Sequence, residues 1–276
     1  MGYAVTRTVE AKGFEFPAVG LGTWMLRGRD CTRLVEQSIR IGYRHIDTAQ
    51  MYDNEREVGE GVRASGKRSE VTVTTKVQPS LLAPHDLERS VKESLARLRL
   101  DHIDLLLIHW PNPRVPLSET LGAMAKMKQA GYARALGVSN FTVALLDEAN
   151  KVTGEPLVCN QIECHPFLDQ HKVIAACRKH AMAVIAYSPI ARGGARGNDT
   201  LERIGKAHGK TGAQVSLRYL VQQGIAVIPR TSRVERLEEN FSVSDFALSD
   251  TEMAEIAALA RRGGRVVDWS WSPKWD

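Results

Sequence analysis

The chain alternates between short unbroken apolar runs and longer stretches whose apolar residues recur every three to four positions. The runs read as strands: AVGLGT (18–23), YRHIDT (43–48), VTVTTK (71–76), IDLLLIH (103–109), ARALGVS (133–139), LVCNQIE (157–163), AVIAYS (183–188) and AVIPR (226–230). Short continuous apolar runs suit parallel strands that are buried on both faces. The stretches between them carry helical periodicity. Over 86–98, Leu87, Val91, Leu95 and Leu98 share one face; 117–129 is a second such stretch, and 211–222 a third. The last opens with a Thr-x-x-Gln capping box at Thr211 and Gln214. Eight strands, each followed by a helical stretch, is the count for a closed (β/α)8 TIM barrel.

An open doubly wound sheet is the rival arrangement, and it would carry G-x-G-x-x-G after its first strand. Here Gly20-Leu21-Gly22 is followed by Thr23, Trp24 and Met25, so the third glycine is missing. The barrel is therefore expected, with residues 1–276 forming one domain. Two segments fall outside the pattern. VTRTVEAKGFEFP reads as an N-terminal β-hairpin across Lys12-Gly13 that plugs the barrel floor. The short C-terminal loop VVDWSWSPKWD holds three of the five tryptophans and either covers the mouth or packs against the barrel flank.

At 276 residues, 43% hydrophobic and 25% charged, the composition is that of a soluble globular protein. No apolar run approaches the roughly 20 residues of a membrane span, and the first residues lack the apolar core of a signal peptide. A cytoplasmic protein with no membrane partner is expected. The opening residues fit the pattern M-G-x-x-x-[ST] of N-myristoylation, although bulky Tyr3 beside Gly2 argues against it. Net charge is +5 without runs of Lys or Arg, which excludes a nucleic-acid footprint and leaves room for an anionic small ligand. Cys31, Cys159, Cys164 and Cys177 form no C-x-x-C, pointing to a reducing compartment. Cys159, Cys164 and His165 lack the second ligand pair of a zinc site, so no metal is expected.

In such barrels function sits at the C-terminal strand ends. Those ends carry Asp47, Lys76, His109, Ser139-Asn140, Gln161, Tyr187-Ser188 and Arg230. Any one alone reads as structural; packing does not explain polar ends on every strand, and their convergence is the signal. Asp47, Lys76 and His109 lie on neighbouring strands, and Tyr52 follows Asp47 by five residues. A tyrosine with a pKa of about 10 is a poor acid at neutral pH. A lysine ammonium about 4 Å away stabilises the phenolate by up to ~4 kcal/mol at an effective dielectric of about 20. That would lower the pKa by as much as about three units before desolvation is subtracted. Asp47 supplies the lysine's countercharge, Tyr52 becomes a general acid, and His109 donates a hydrogen bond to a carbonyl oxygen. There is no obvious nucleophile and no carboxylate pair. Protonating an oxygen while its carbon accepts hydride fits best, and hydride requires a nicotinamide or a flavin. Ser139, Asn140 and Gln161 suit a carboxamide, and Tyr187 suits stacking on its ring. In IPRTSRVERLEEN, Arg230, Arg233 and Arg236 stand beside Thr231 and Ser232 as an anion site at a helix start. The alternative is a solvated basic face, its arginines paired with Glu235, Glu238 and Glu239.

GLGTW (20–24), GYRHIDTAQMYDNEREVGEGV (42–62), TTKV (74–77), LLLIHWP (105–111), GVSNF (137–141), NQIECHPF (160–167), AYSPIARG (186–193) and IPRTSRVERLEENF (228–241) together resemble the aldo-keto reductase superfamily over nearly the whole chain. The resemblance implies a (β/α)8 barrel that binds NADP(H) in an extended form and reduces aldehydes and ketones. It makes Tyr52 the acid, Lys76 and Asp47 its modulators, and His109 the residue orienting substrate. It places Ser139, Asn140 and Gln161 on the carboxamide, Tyr187 under the ring, and Ser188 and Ile190 at the pyrophosphate. Arg230, Thr231 and Arg236 fall at the 2′-phosphate and Glu239 with Asn240 at the adenine; Gly22, Thr23, Pro189 and Ser232 complete the cofactor set. Trp24, Met51, Trp110 and Trp271 are assigned to the substrate pocket. Arg230 and Thr231 stand where many members have Lys and Ser, so NADPH is favoured while NADH is less excluded. The short loop PNPRVPLSET and short tail resemble bacterial 2,5-diketogluconate reductase-like members that reduce small dicarbonyls and keto-sugars. A monomer acting on a small carbonyl substrate is expected. Two rivals, a non-catalytic redox sensor and a metal-dependent barrel hydrolase, want an extra interaction segment and several ligands at strand ends, and neither is evident.

Overall fold

The computed structural model describes residues 8–276, so the myristoylation pattern and the first residues of the predicted hairpin lie outside the described residues. The hairpin pairs β1 (Thr8–Ala11) with β2 (Phe14–Pro17) antiparallel, Ala11 opposite Phe14. Lys12 and Gly13 both take positive φ, 50° and 78°, the twist that a two-residue hairpin turn needs. Phe16 is fully buried and clusters with Leu105, Leu107, Ile185 and Ile228 inside the strands that follow. The hairpin is thus a floor plug, and burying Phe16 contributes about 1.5–3 kcal/mol.

The remaining elements alternate. Strands β3 (Leu21–Gly22), β4 (His45–Asp47), β5 (Thr72–Val77), β6 (Ile103–Ile108), β7 (Ala133–Ser139), β8 (Leu157–Glu163), β9 (Ala183–Tyr187) and β10 (Ala226–Val227) are interleaved with α1 (Gly28–Ile41), α2 (Glu55–Ala64), α3 (Pro84–Leu98), α4 (Leu117–Gln129), α5 (Val143–Val152), α6 (His171–Lys179), α7 (Asp199–Ala207) and α8 (Gly212–Gln222); α9 (Glu235–Phe241) and α10 (Asp250–Ala257) follow. All eight predicted strand regions are present, in consecutive parallel order β3 to β10. Parallel bridges Val19–Val227 and Gly22–Arg230 join the two edges and close the barrel. At this seam the ladders are short, because β3 and β10 meet through isolated bridges; residues 18–20 and 228–230 bend round the wall. A Cβ on Gly22 would sit 2.7 Å from the Ile228 carbonyl oxygen, so only glycine lets the seam approach this closely.

The predicted helices also stand. α3 begins two residues earlier than expected, at Pro84, which has the fixed φ a first helical position tolerates. α4 has the predicted bounds, and α8 carries the Thr211–Gln214 capping box in both directions. Every residue of β6 is buried, which is why it reads as an apolar run and not as alternation. Ile103, Leu106 and Ile108 pack outward against the helix layer with Val91, Leu98 and Leu121. Among the described residues no helix is long and apolar enough to cross a membrane.

Candidate active site

The mouth of the barrel gathers the residues singled out from the strand ends. Lys76, near the end of β5, has a fully buried side chain. Its Nζ donates to Asp47 Oδ1 at 2.5 Å, to the Thr48 carbonyl at 2.9 Å and to the Tyr52 hydroxyl at 3.3 Å. Asp47 ends β4, in register with Thr74 on β5, so neighbouring parallel strands set the ion pair. Tyr52 closes a short 3-10 turn, Gln50–Tyr52, after that strand. Two residues hold this turn back over the mouth. Asn54 donates to the Thr23 and Leu26 carbonyls while accepting from Thr48, and Arg27 donates to the Tyr52 and Asp53 carbonyls. His109 follows β6, its ring 5.5 Å from that of Tyr52 and edge-on to it.

The electrostatics differ from the expectation in one respect. The Tyr52 hydroxyl is pushed well above its ordinary range, first by burial and then by the Asp47 carboxylate. Asp47 lies closer to Lys76 than Tyr52 does, so its charge cancels most of the ammonium's pull on the phenol. Burial also lowers Lys76, opposed by Asp47. His109 is pushed well below the usual imidazole range by burial and by Lys76, so its ring is neutral.

The cofactor candidates divide into groups that are free and groups that are engaged. Gln161 Nε2 donates to Asp47 Oδ2 at 2.7 Å, so the carboxylate is gripped on one oxygen by Lys76 and on the other by Gln161. Gln161 thus grips Asp47 with one of its two N–H groups, and its amide oxygen remains an acceptor for a ligand at the mouth. The Thr23 hydroxyl is spent on the Asp47 carbonyl. Asn140 has left-handed backbone (φ 62°), and its Nδ2 donates to the His109 carbonyl and Ser139 Oγ. Its Oδ1 accepts from the Tyr187 hydroxyl at 2.7 Å, which steadies that ring at the end of β9. Ser188 also has positive φ, turning the chain sharply; the Pro189 carbonyl beyond it accepts from Ser216, and Ile190 is half-buried.

Further round the wall, Arg230 Nε donates to the Trp24 carbonyl, and the Thr231 hydroxyl bridges the backbone of Arg233. Ser232 is exposed. The alternative in which the arginines pair with the local glutamates holds only for Arg233, 3.8 Å from Glu235. Glu239 is engaged by Arg196 and Thr211. The Arg236 guanidinium is half-buried and has no hydrogen-bond or ion-pair partner among the described residues. Asn240 Oδ1 is buried and unpartnered among them. An unpaired guanidinium and an orphaned acceptor on α9 are groups that a phosphorylated, hydrogen-bonding ligand would satisfy.

A family model described as "Aldo/keto reductase family" matches residues 18–261. The chain belongs to the aldo/keto reductase family. It is an oxidoreductase, and the family works with nicotinamide cofactors. This reductase is 38% identical over 264 residues to the methylglyoxal reductase DkgB of Escherichia coli O157:H7, covering 94% of this chain and 99% of that one. It is 40% identical over 250 residues to a 9,11-endoperoxide prostaglandin H2 reductase of Trypanosoma cruzi, covering 89% of this chain and 88% of that protein. A crystal structure whose assignment as a 2,5-diketo-D-gluconic acid reductase B is provisional superposes with a TM-score of 0.96 at 43% identity, over 98% of this chain and 97% of that one.

The reductase's substrate candidates ring the mouth. Trp24 and Met51 are exposed, and Trp110 is buried beside His109. The tail resolves its own ambiguity: Trp271 and Trp275 stand edge-on to Trp110 at 5.1 and 6.0 Å between centroids, so it lies at the mouth. The Cys159–Cys164–His165 segment builds no metal cluster among the described residues; His165 Nε2 meets Glu163 at 2.9 Å instead. Asn54, Arg27 and Glu163 escaped the sequence reading. Asn54 and Arg27 act on backbone carbonyls of other loops, which leaves no periodic or spacing signal, and Asn54 sits unremarked within the quoted segment YDNEREVG.

Proposed function

We propose that this reductase converts small aldehydes and ketones to alcohols with NADPH, Tyr52 serving as the proton donor. The observation that carries the proposal is the contact of Tyr52 with a fully buried Lys76 that is itself paired to Asp47. Burial keeps the Tyr52 hydroxyl protonated at neutral pH. The proton is therefore in place when a carbonyl oxygen arrives, and the phenolate left behind forms 3.3 Å from an ammonium. The expected lysine effect thus operates on the product of the proton transfer more than on the resting acid. Neutral His109 offers a single N–H to the same oxygen and orients it. When held by the residues assigned below, NADPH would supply the hydride that the carbonyl carbon accepts.

Asn140, Ser139 and Tyr187 are assigned to the nicotinamide end, with Ser188, Pro189 and Ile190 along the pyrophosphate and Gly22 beside it. Arg230, Thr231, Ser232 and Arg236 are assigned to the 2′-phosphate, and Glu239 with Asn240 to the adenine. For Gln161, engagement with Asp47 makes it first a positioning residue for the ion pair. Methylglyoxal and keto-sugars are the proposed substrates, in line with the similarity to the DkgB enzyme, together with aromatic aldehydes that suit the Trp24, Met51, Trp110 and Trp271 rim. The protein is proposed to act as a cytoplasmic monomer. The test follows NADPH consumption with methylglyoxal, glyceraldehyde, keto-sugars and aromatic aldehydes, for wild type and Tyr52→Phe. The variant should lose about 10²–10⁴-fold in kcat, the usual worth of a positioned acid, and still bind cofactor. Full activity in Tyr52→Phe rejects Tyr52 as the acid.

A further inference from the structure

At the C-terminal end of β8 lies a carboxylate that the proposed chemistry does not use. The Glu163 side chain is fully buried. Its Oε1 accepts from His165 Nε2 at 2.9 Å and from the Val266 N–H at 2.6 Å; its Oε2 accepts from the Val267 N–H at 2.9 Å. The Arg265 guanidinium is 3.8 Å away. The Phe167 N–H donates to His165 Nδ1, which places the ring hydrogen on Nε2, facing the carboxylate. Three of these four partners come from one tail segment about a hundred residues further along the chain. A buried carboxylate without donors is costly, so an undocked tail would strip Glu163 of all but His165.

The tail runs from this point across the mouth. Arg265 stacks on Trp275 at 3.7 Å, and Trp275 Nε1 donates to Asp268. Trp271 and Trp275 close on Trp110, the residue after His109. At its far end Asp276 accepts from the Val143 N–H at the start of α5. Glu163 also stands in register with Tyr187, so the anchor is built into the wall beside the proposed nicotinamide face.

We infer that Glu163 is a positioning residue: a latch that fixes the C-terminal tail against Trp110 and thereby sets which substrates fit the mouth. Its kinetic consequence rests on the carbonyl-reductase reading; the docking itself does not. Glu163→Gln replaces one acceptor oxygen by a donor facing a tail N–H. Val266→Pro removes a donor from the other side while leaving Glu163 intact, and Arg265 already has the extended backbone that a following proline requires (φ −65°, ψ 133°).

The test has two arms. Hydrogen exchange is compared for a peptide from the tail and one from β6, in protein without substrate. Both variants should speed tail exchange about ten-fold, the loss of one hydrogen bond to a charged acceptor, and leave β6 unchanged. In turnover, KM for a bulky aromatic aldehyde should rise about ten-fold by the same reasoning, with kcat within about two-fold and methylglyoxal nearly unaffected. Deleting residues 266–276 should reproduce the pattern, and Glu163→Gln should add nothing in that background. Unchanged tail exchange overturns the latch. So does an equal KM effect of Glu163→Gln with the tail deleted, or a uniform loss of kcat on all substrates together with a lowered Tm. If Glu163→Gln does not fold, Val266→Pro decides by the same readings. If no carbonyl is reduced by any form, the function proposed above fails, while tail exchange still decides the latch.

Discussion

Replacing Asp47 with asparagine should destabilise the barrel in a way that depends on pH, and the size follows from the buried pair. The Lys76 and Asp47 side chains are 0% and 2% exposed. Without the carboxylate, the ammonium keeps only neutral acceptors: the asparagine amide oxygen, the Thr48 carbonyl and the Tyr52 hydroxyl. Removing one partner of a buried ion pair costs about 3–5 kcal/mol. The protein can instead release the lysine proton. From the ordinary value of 10.5, deprotonation at pH 7 costs about 4.8 kcal/mol at ~1.36 kcal/mol per unit, and at pH 9 only about 2 kcal/mol. The cheaper route sets the deficit. Burial lowers the folded-state pKa of Lys76 and Asp47 opposes it. In Asp47→Asn that opposition is gone and the folded-state value falls further, so between it and 10.5 the variant's unfolded chain binds more protons than its native one. Stability therefore rises with pH in this window, and the deficit of Asp47→Asn should shrink from about 3–5 kcal/mol at pH 7 to about 2 at pH 9. The asparagine amide would also face Gln161 Nε2, donor against donor, unless Gln161 turns over. Urea unfolding of wild type, Asp47→Asn and Asp47→Asn/Lys76→Met at both pH values measures this. The double variant, lacking the stranded charge, should recover at least half the loss. A deficit that is the same at both pH values, or a double variant no better than the single, refutes the charge argument.

Arg236→Ala should weaken NADPH about ten- to hundred-fold in a fluorescence titration, the worth of charge-assisted bonds to a phosphate, and should leave NADH nearly unchanged; equal losses would count against a phosphate role. Gly264→Ala would put a Cβ 1.8 Å from the Phe167 carbonyl oxygen, so calorimetry should show a loss of about 1–3 kcal/mol or more from overpacking. His45 has its pKa lowered to about 4, with His109 also well below 6.5, both first by burial. In each the unfolded imidazole takes up a proton that the native one refuses, so stability should fall as pH drops below 6.5, by up to about 1.4 kcal/mol per unit for each group. His45→Gln should flatten that slope in urea unfolding between pH 7 and 5, and an unchanged slope would assign it elsewhere.

Much of the architecture was legible because the parallel strands are buried on both faces and end in polar residues at one rim. That geometry makes IDLLLIH and VTVTTK stand out and aligns Asp47, Lys76 and His109 without further information. Distances were not legible. Whether Lys76 lowers or merely steadies Tyr52 turns on 2.5 Å to Asp47 against 3.3 Å to the phenol, and no spacing along a chain encodes that difference. Side-chain partners were hidden for the same reason: nothing along the chain shows that Gln161 also donates to Asp47. Glu163 was invisible because most of its partners are tail groups, two of them backbone amides that any residue supplies, far along the chain. At the seam the apolar runs outlast the hydrogen-bonded ladders, since burial continues where pairing stops.

The hairpin plug and the tryptophan tail put the two ends of the described chain at opposite poles of the barrel. A fusion partner joined directly to Thr8 would sit on the floor side, away from the mouth. The same partner attached after Asp276 would pull on the residue that bonds Val143 and drag on the tryptophans over Trp110. Purification tags are therefore not interchangeable for this enzyme. An amino-terminal tag should report its native substrate range, and a carboxy-terminal one should report the range of a protein with its roof disturbed.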